Sequence, residues 1–188
     1  ESDLPPLDTL GDQALVFIGP GNKTDMATFA QNARSARVPF FFDPGQSLNI
    51  WQGSELREAV GGALCFVSND YELSLFLQMT DWTMRQLYET VQVVITTRGP
   101  EGAVLDRGGE KTLIPSIPVG DVLDPTGAGD AFRSGLLKGL QLGMDWDVCC
   151  QIGVVSAAFV VEQYGTQEHR MSWDDLCNRY QGFFGSLL

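Results

Sequence analysis

Four short apolar runs recur along the first half of the chain without alternating with polar residues. They are 13–18 (QALVFI), 38–42 (VPFFF), 63–67 (ALCFV) and 91–96 (VQVVIT). A strand with one face in water alternates apolar and polar side chains, whereas a strand covered on both faces does not. The stretches between them carry helical spacing. Gly19-Pro20-Gly21 ends the first run, and Thr24 or Asp25 can cap a helix with Met26, Phe29, Ala30 and Ala33 on one face. Ser54 opens a short helix over Glu55 to Val60, another runs through Leu73, Leu75, Phe76 and Leu77, and Asp81 starts one through Trp82, Met84 and Leu87. Strand alternating with helix predicts an α/β fold: a mostly parallel sheet with helices on both faces. Ligands of such sheets gather beyond the carboxyl ends of the strands. Asp43, Asn69, Thr97 and Asp130 all follow strand-like runs and are therefore expected on one rim.

In the second half, Ala103–Leu105 and Lys111–Ile114 form a hairpin pattern around Arg107-Gly108-Gly109. Val119 to Leu123 reads as a strand that delivers the chain to Asp124-Pro125-Thr126-Gly127-Ala128-Gly129-Asp130. Pro125 pushes Asp124 out of the helical region. Gly127 and Gly129 allow close backbone approach to a ligand. Ala131, Phe132, Gly135, Leu136, Leu137 and Leu140 then recur at helical spacing. The orphan N–H groups of that first turn, with the positive end of the helix dipole, make an anion site. Asp130 lies in the same turn. A donor cluster beside a carboxylate is an apparatus for activating a hydroxyl against a phosphate. On spacing alone, a capped helix start explains the turn equally well. Two helices follow. Asp145 or Asp147 opens one that runs to about Gln163 and is apolar nearly all round, and Ser172 caps the other with Asp175 in a box-like position.

A length of 188 residues suits one domain with a sizeable core. The balance of 24 acidic against 12 basic residues, a net charge of −12, disfavours nucleic-acid backbones and anionic membranes as partners. No stretch approaches the roughly 18 uninterrupted apolar residues of a membrane span. Residues 1–6 show no basic and apolar leader pattern, so a cytoplasmic protein is expected. Cys65, Cys149, Cys150 and Cys177 lack paired metal-ligand spacing, and His169 is the sole histidine, which argues for reduced thiols and against a zinc site. Trp51, Trp82, Trp146 and Phe159 sit at core-like spacing and are assigned to packing.

Asp124 to Leu137 (DPTGAGDAFRSGLL) resembles the second signature of the PfkB/ribokinase family of sugar and nucleoside kinases. Asn69-Asp70-Tyr71-Glu72 resembles its N-x-x-E motif, and Thr97-Arg98-Gly99-Pro100-Glu101-Gly102 its T-x-G-x-x-G nucleotide loop. Phe42-Asp43-Pro44-Gly45-Gln46 and Gly165-Thr166-Gln167-Glu168-His169 are similar to the adenosine-kinase-like branch. The likeness keeps its order over almost the whole chain.

The resemblance implies a ribokinase-like fold and ATP-dependent phosphorylation of a primary hydroxyl. The acceptor is a nucleoside, adenosine first, or a sugar in a ribokinase- or fructokinase-like reading. It makes Asp130 the general base and the amides of Gly127, Ala128 and Gly129 the anion hole. Asn69 and Glu72, one helical turn apart, would order Mg²⁺ and its water, the plainer alternative being an Asn cap with an exposed Glu. Thr97, Arg98, Gly99, Gly102 and Val154 would line the nucleotide, with Arg98 either on a phosphate or in solvent. Asp124, Thr126, Val160, Gln163, Gly165 and His169 correspond to a monovalent-cation loop, which adds K⁺ as a candidate. Asp43-Pro44-Gly45-Gln46 is either a turn after a strand or a segment near substrate or nucleotide.

Family members are longer, and their Gly-rich sugar motif, substrate-gripping Asp and β lid have no counterpart in this sequence. Residues 1–188 therefore read as the C-terminal, nucleotide-binding portion of such a kinase, without the N-terminal part and the lid. A catalytically silent nucleotide-binding protein is the alternative from another class. The uncovered side of a half-fold implies pairing as a homodimer.

Overall fold

The computed structural model describes residues 6–9, 11, 14–166, 168 and 170–187. The chain divides into two compact units, Glu1–Thr97 with Asp106–Lys111, and Arg98–Leu105 with Thr112–Leu188.

In the first unit, β1 (Val16–Ile18), β2 (Phe40–Phe42), β3 (Cys65–Asn69) and β4 (Val93–Thr97) pair in parallel, with Phe17 opposite Phe41, Phe42 opposite Phe66 and Phe66 opposite Val94. Successive side chains of a strand point to opposite faces, yet Phe40, Phe41 and Phe42 are all buried. That is the physical content of an apolar run without alternation. The helices α1 (Lys23–Ala36), α2 (Gly53–Val60), α3 (Asp70–Thr80) and α4 (Met84–Thr90) contribute Met26, Ala30, Ala33, Leu56, Val60, Phe76 and Leu87 to the same core. Full burial of side chains such as Phe66 or Leu56 stabilises by roughly 1.5–3 kcal/mol each. Trp51 packs edge-on to Phe42, and Trp82 edge-on to Phe76, as their assignment to packing required.

Several helix starts differ from the sequence expectation. Asn22, not Thr24 or Asp25, caps α1, its Oδ1 accepting from the amides of Thr24 (2.9 Å) and Asp25 (3.2 Å). α2 begins at Gly53 rather than after Ser54, and the Glu55 carboxylate accepts the Gln52 amide at 2.8 Å. Glycine is required there because a Cβ would lie 1.9 Å from the Met79 carbonyl. Asp81 does not open α4. It closes α3 in the left-handed conformation, φ +54°, which Asp tolerates better than most residues. Thr83 caps α4 instead, in reciprocal bonds with Gln86. Beyond β2 the chain forms a 3₁₀ helix, Gly45–Ile50, rather than a bare turn.

The strands run in the order β1-β2-β3-β4-β5-β6 in one six-stranded sheet, with β5 (Ala103–Arg107) and β6 (Glu110–Ile114) joined by Gly108 and Gly109. Both glycines have positive φ, +66° and +101°, as a two-residue hairpin turn demands. The Asp106 carboxylate accepts the Gly109 amide at 2.8 Å and the Tyr88 hydroxyl.

The second unit holds α5 (Ala128–Gln141), α6 (Trp146–Val161) and α7 (Trp173–Phe184). α5 and α6 meet at small residues. A Cβ on Gly135 would stand 2.9 Å from the Gly153 Cα, one on Gly139 2.9 Å from the Cys149 Cα, and one on Gly153 2.8 Å from the Phe132 carbonyl. Ser172 caps α7 as expected, its Oγ accepting the Asp175 amide at 3.1 Å while Asp175 accepts the Ser172 amide at 3.0 Å. Arg179 of α7 grips Glu162 with two bonds, 2.7 and 2.8 Å, and stacks over Phe159 at 4.7 Å. Val119 to Leu123 is irregular rather than a strand. The amides of Leu123 (2.8 Å) and Asp124 (3.3 Å) donate to the Val161 carbonyl at the end of α6, so this segment's backbone is satisfied by a helix terminus.

Among the described residues, no cysteine forms a disulfide and no helix is long and apolar enough to cross a membrane. Burial pushes the Cys149 thiol up to about 11, away from reactivity.

Candidate active site

The start of α5 is built by its neighbours in sequence and by a distant loop. Asp124 accepts the Thr126 amide at 2.9 Å on Oδ1 and the Gly165 amide at 3.1 Å on Oδ2. The Thr126 hydroxyl and amide, with the Gly165 amide, hold its carboxyl below the usual range. Gly127 stands at φ +87°, a conformation that favours glycine, and a Cβ there would touch Thr166 at 3.4 Å. The Gly127 carbonyl accepts the first helical bond, from Ala131 at 2.9 Å, and the Ala128 amide donates to the Pro125 carbonyl at 3.2 Å. The amides of Gly127 and Gly129 find no acceptor among the described residues. Of the three expected anion-hole donors, Ala128 is thus already engaged, and two remain available.

Asp130, in that first turn, has a side chain 87% exposed, directed to solvent rather than into the core. It borders a pocket of about 340 Å³ together with Gly127, Ser134, Ser156 and Trp173. Arg133, one turn further on, went unnoticed in the sequence reading. Its Nη1 lies 4.0 Å from the Asp130 Oδ1, and its side chain is only 14% exposed. A Cβ on Gly129 would fall 2.5 Å from that nitrogen. The signal was present in the spacing: helical side chains lean toward the N-terminus, so a residue at i+4 covers residue i.

In the first unit, Asp43, Asn69 and Thr97 stand at the carboxyl ends of β2, β3 and β4, which places three of the four rim residues on one edge. Asp130 belongs to the second unit. Asn69 and Thr97 are register partners. Asn69 accepts the Glu72 amide at 2.7 Å, and Glu72 Oε2 accepts the Asn69 amide at 2.8 Å, a reciprocal cap of α3. The cap forms with Glu72 half-buried rather than exposed, and it leaves Glu72 Oε1 as an acceptor. Asp43 is fully buried, its amide donating to Ile18 at 2.9 Å.

In the second unit, Arg98 pairs with Glu101 at 2.5 Å rather than standing alone, while Gly99 and Gly102 hold the turn at φ +54° and +93°. Gly102 cannot carry a side chain, since a Cβ would meet the Ile114 carbonyl at 2.1 Å. Val154 is buried within α6. Of the proposed cation loop, Asp124, Thr126 and Gly165 are brought together, the Val160 carbonyl accepts the Gln163 amide at 3.1 Å, and His169 lies outside the described residues. No cluster of three or more His, Cys, Asp or Glu side chains forms a metal cage among the described residues.

Known proteins resemble this chain in sequence and fold. The nucleoside kinase of Methanocaldococcus jannaschii is 34% identical over 140 residues, which cover 74% of this chain and 46% of that protein. The structure of Burkholderia thailandensis nucleoside kinase in complex with ADP and inosine superposes with a TM-score of 0.90 at 32% identity, covering 96% of this chain and 57% of that one. The crystal structure of Methanocaldococcus jannaschii nucleoside kinase, described as an archaeal member of the ribokinase family, gives a TM-score of 0.85 at 32% identity over 89% of this chain and 56% of that one. The fold is thus ribokinase-like, and the chain spans about half the length of the relatives it matches. The model of the pfkB family carbohydrate kinases matches residues 8–173, which takes in all the motifs described above: the chain belongs to the pfkB family of carbohydrate kinases.

Proposed function

We propose that the protein transfers the γ-phosphoryl group of ATP to a primary hydroxyl of a nucleoside, with Asp130 as general base. One observation carries the reading. An exposed carboxylate sits in the first turn of a helix whose entry amides, at Gly127 and Gly129, are without acceptors among the described residues.

Those amides point where negative charge gathers on the phosphoryl oxygens, and the helix dipole adds to them. Backbone donors suit this task because the charge spreads over several oxygens in a small volume. Asp130 takes the proton of the acceptor hydroxyl as its oxygen attacks phosphorus, a contribution of about 10² to 10⁴ in rate. Asp124 holds the turn in shape through Thr126 and Gly165. Mg²⁺ fits the donor set: it is commonly held by phosphates and waters with one or two carboxylates, and Glu72 Oε1 offers such an acceptor. When bound, it neutralises phosphate charge. K⁺ fits less well, because both Asp124 oxygens and the Val160 carbonyl already accept protein amides.

Two matched relatives are called nucleoside kinases, and one of them was solved with inosine. With the segments Phe42 to Gln46 and Gly165 to His169, this favours a purine ribonucleoside such as adenosine over a free sugar. The test is ATP turnover with adenosine, inosine, cytidine and ribose, with Asp130→Asn beside the wild type. Turnover of a nucleoside that falls by about 10²-fold or more in Asp130→Asn supports the reading. Undiminished turnover in that variant removes Asp130 as base. Preference for ribose moves the reading to a sugar kinase, and nucleotide binding without turnover of any acceptor moves it to a silent nucleotide-binding protein.

A further inference from the structure

Asp130, Ser134 and Lys138 follow one another at intervals of one helical turn along α5, and all three border the pocket that opens beside the base. Side chains at i and i+4 lie one above the other on a helix face. Eight residues of α-helix rise about 12 Å, so the pocket reaches from a carboxylate at the start of α5 to an ammonium group two turns on. Met171, Trp173 and Leu176, at and just before the start of α7, line it with apolar surface. The Ser134 hydroxyl donates to the Asp130 carbonyl at 2.9 Å, and its oxygen remains able to accept. The Lys138 ammonium lies 5.7 Å from the centroid of the Trp173 ring and donates to Gln141 Oε1 at 3.1 Å, with further N–H groups to spare. The volume of about 340 Å³ is at the small end of small-molecule sites, which run from about 300 to 1,000 Å³.

We infer that this pocket seats the acceptor as an oxopurine ribonucleoside, with its primary hydroxyl at Asp130, its base against Trp173, and Lys138 at the far edge of that base. This rests on the kinase reading proposed above. An extended ribonucleoside has a hydroxyl at one end and a base at the other, and it spans the length of α5 from Asp130 to Lys138. A free pentose is too short to meet both. Trp173 supplies an aromatic surface, on which any base can pack. Lys138 supplies the choice among bases, because an ammonium group donates hydrogen bonds and cannot accept them. Hypoxanthine and guanine carry an oxygen where adenine carries an amino group. The oxopurines therefore gain a charge-assisted hydrogen bond at that edge, and adenine brings a donor to a donor. Position 138 is thus a specificity determinant, and the pocket narrows the acceptor from purine ribonucleosides in general to inosine and guanosine.

The experiment compares wild type, Lys138→Met and Trp173→Leu in two measurements. Lys138 is exposed, so its replacement leaves the core untouched. The first measurement is steady-state kinetics with ATP and inosine, adenosine or ribose. The wild type prefers inosine to adenosine, and adenosine to ribose. Lys138→Met lowers kcat/KM for inosine about tenfold or more and leaves adenosine within about threefold, so the preference collapses. Trp173→Leu lowers kcat/KM for both nucleosides about fivefold or more, with the KM for ATP unchanged. The second measurement is calorimetric titration of the same three chains with the same three acceptors in the absence of ATP. The wild type binds inosine most tightly, and Lys138→Met binds inosine and adenosine alike. A wild type that turns over no acceptor sinks the kinase reading, and the calorimetry then decides on the pocket alone. Adenosine or ribose held as tightly as inosine by the wild type, equal losses for inosine and adenosine in Lys138→Met, wild-type affinity for both nucleosides in Trp173→Leu, or no binding of inosine at all overturns the inference.

Discussion

Replacing Gly153 or Gly135 with alanine sets two calculable effects against each other. Alanine in a helix interior is favoured over glycine by about 0.8–1 kcal/mol. Against that, a Cβ on Gly153 would stand 2.8 Å from both the Cδ2 and the carbonyl of Phe132, and one on Gly135 2.5 Å from the Ser156 Oγ and 2.8 Å from the Ile152 carbonyl. Carbon atoms prefer about 3.5–4.0 Å, so α5 and α6 must part by the better part of an ångström, forfeiting a quarter to a half of each contact across the seam. Overpacking of this kind costs typically about 1–3 kcal/mol, occasionally more, and backbone neighbours give way less than side-chain tips. The net expectation for either variant is a loss of roughly 1–2 kcal/mol. Gly182 is the control: it lies in α7 with nothing within 4 Å of its Cβ position, so only the propensity gain applies. In thermal unfolding followed by circular dichroism, each kcal/mol is worth about 2–4 °C for a chain of this size. Gly153→Ala and Gly135→Ala should melt several degrees below wild type and Gly182→Ala a few degrees above. Gly153→Ala melting at or above wild type, with Gly182→Ala raised as expected, would refute the argument that the seam is closed to a methyl group.

The Arg179 guanidinium, foremost, and the Gly120 amide hold the Glu162 carboxyl below its ordinary value of 4.5. A depressed folded value means stabilisation that is full above the unfolded value and fades as pH falls through the folded one. The stability difference between wild type and Glu162→Gln should therefore be constant above about pH 5 and shrink below 4.5, measured by urea unfolding at successive pH values; a difference that persists undiminished to the most acidic point contradicts it. At the start of α1, Asn22→Ala should cost about 1 kcal/mol, while Thr24→Ala costs within about 0.5 kcal/mol. Equal losses in the same unfolding assay would return the cap to Thr24.

Much of this molecule was legible from neighbouring residues. The apolar runs around Phe41 and Phe66 announced strands buried on both faces, and Asp124-Pro125-Thr126-Gly127 announced a break followed by a helix. Ser172 with Asp175 announced a cap that forms as expected. These features depend on the conformational limits of Pro and Gly and on periodicity, which act over a few bonds. Helix starts at Asn22 and Thr83 were harder, because several capping residues crowd each boundary and packing selects among them.

Other features depend on chain closure. Asp124 meets the Gly165 amide across 41 residues, and Val119 to Leu123 turns to the end of α6 instead of to a strand. The glycines of α5 and α6 show their purpose only once the two helices touch, and Arg133 declares itself only when Gly129 leaves room for its charge. Secondary structure follows from each residue's own torsions and polarity, so it is written locally. The choice of hydrogen-bond partner, and the place where a charge is held out of water, are set by which distant surfaces the folded chain brings into contact.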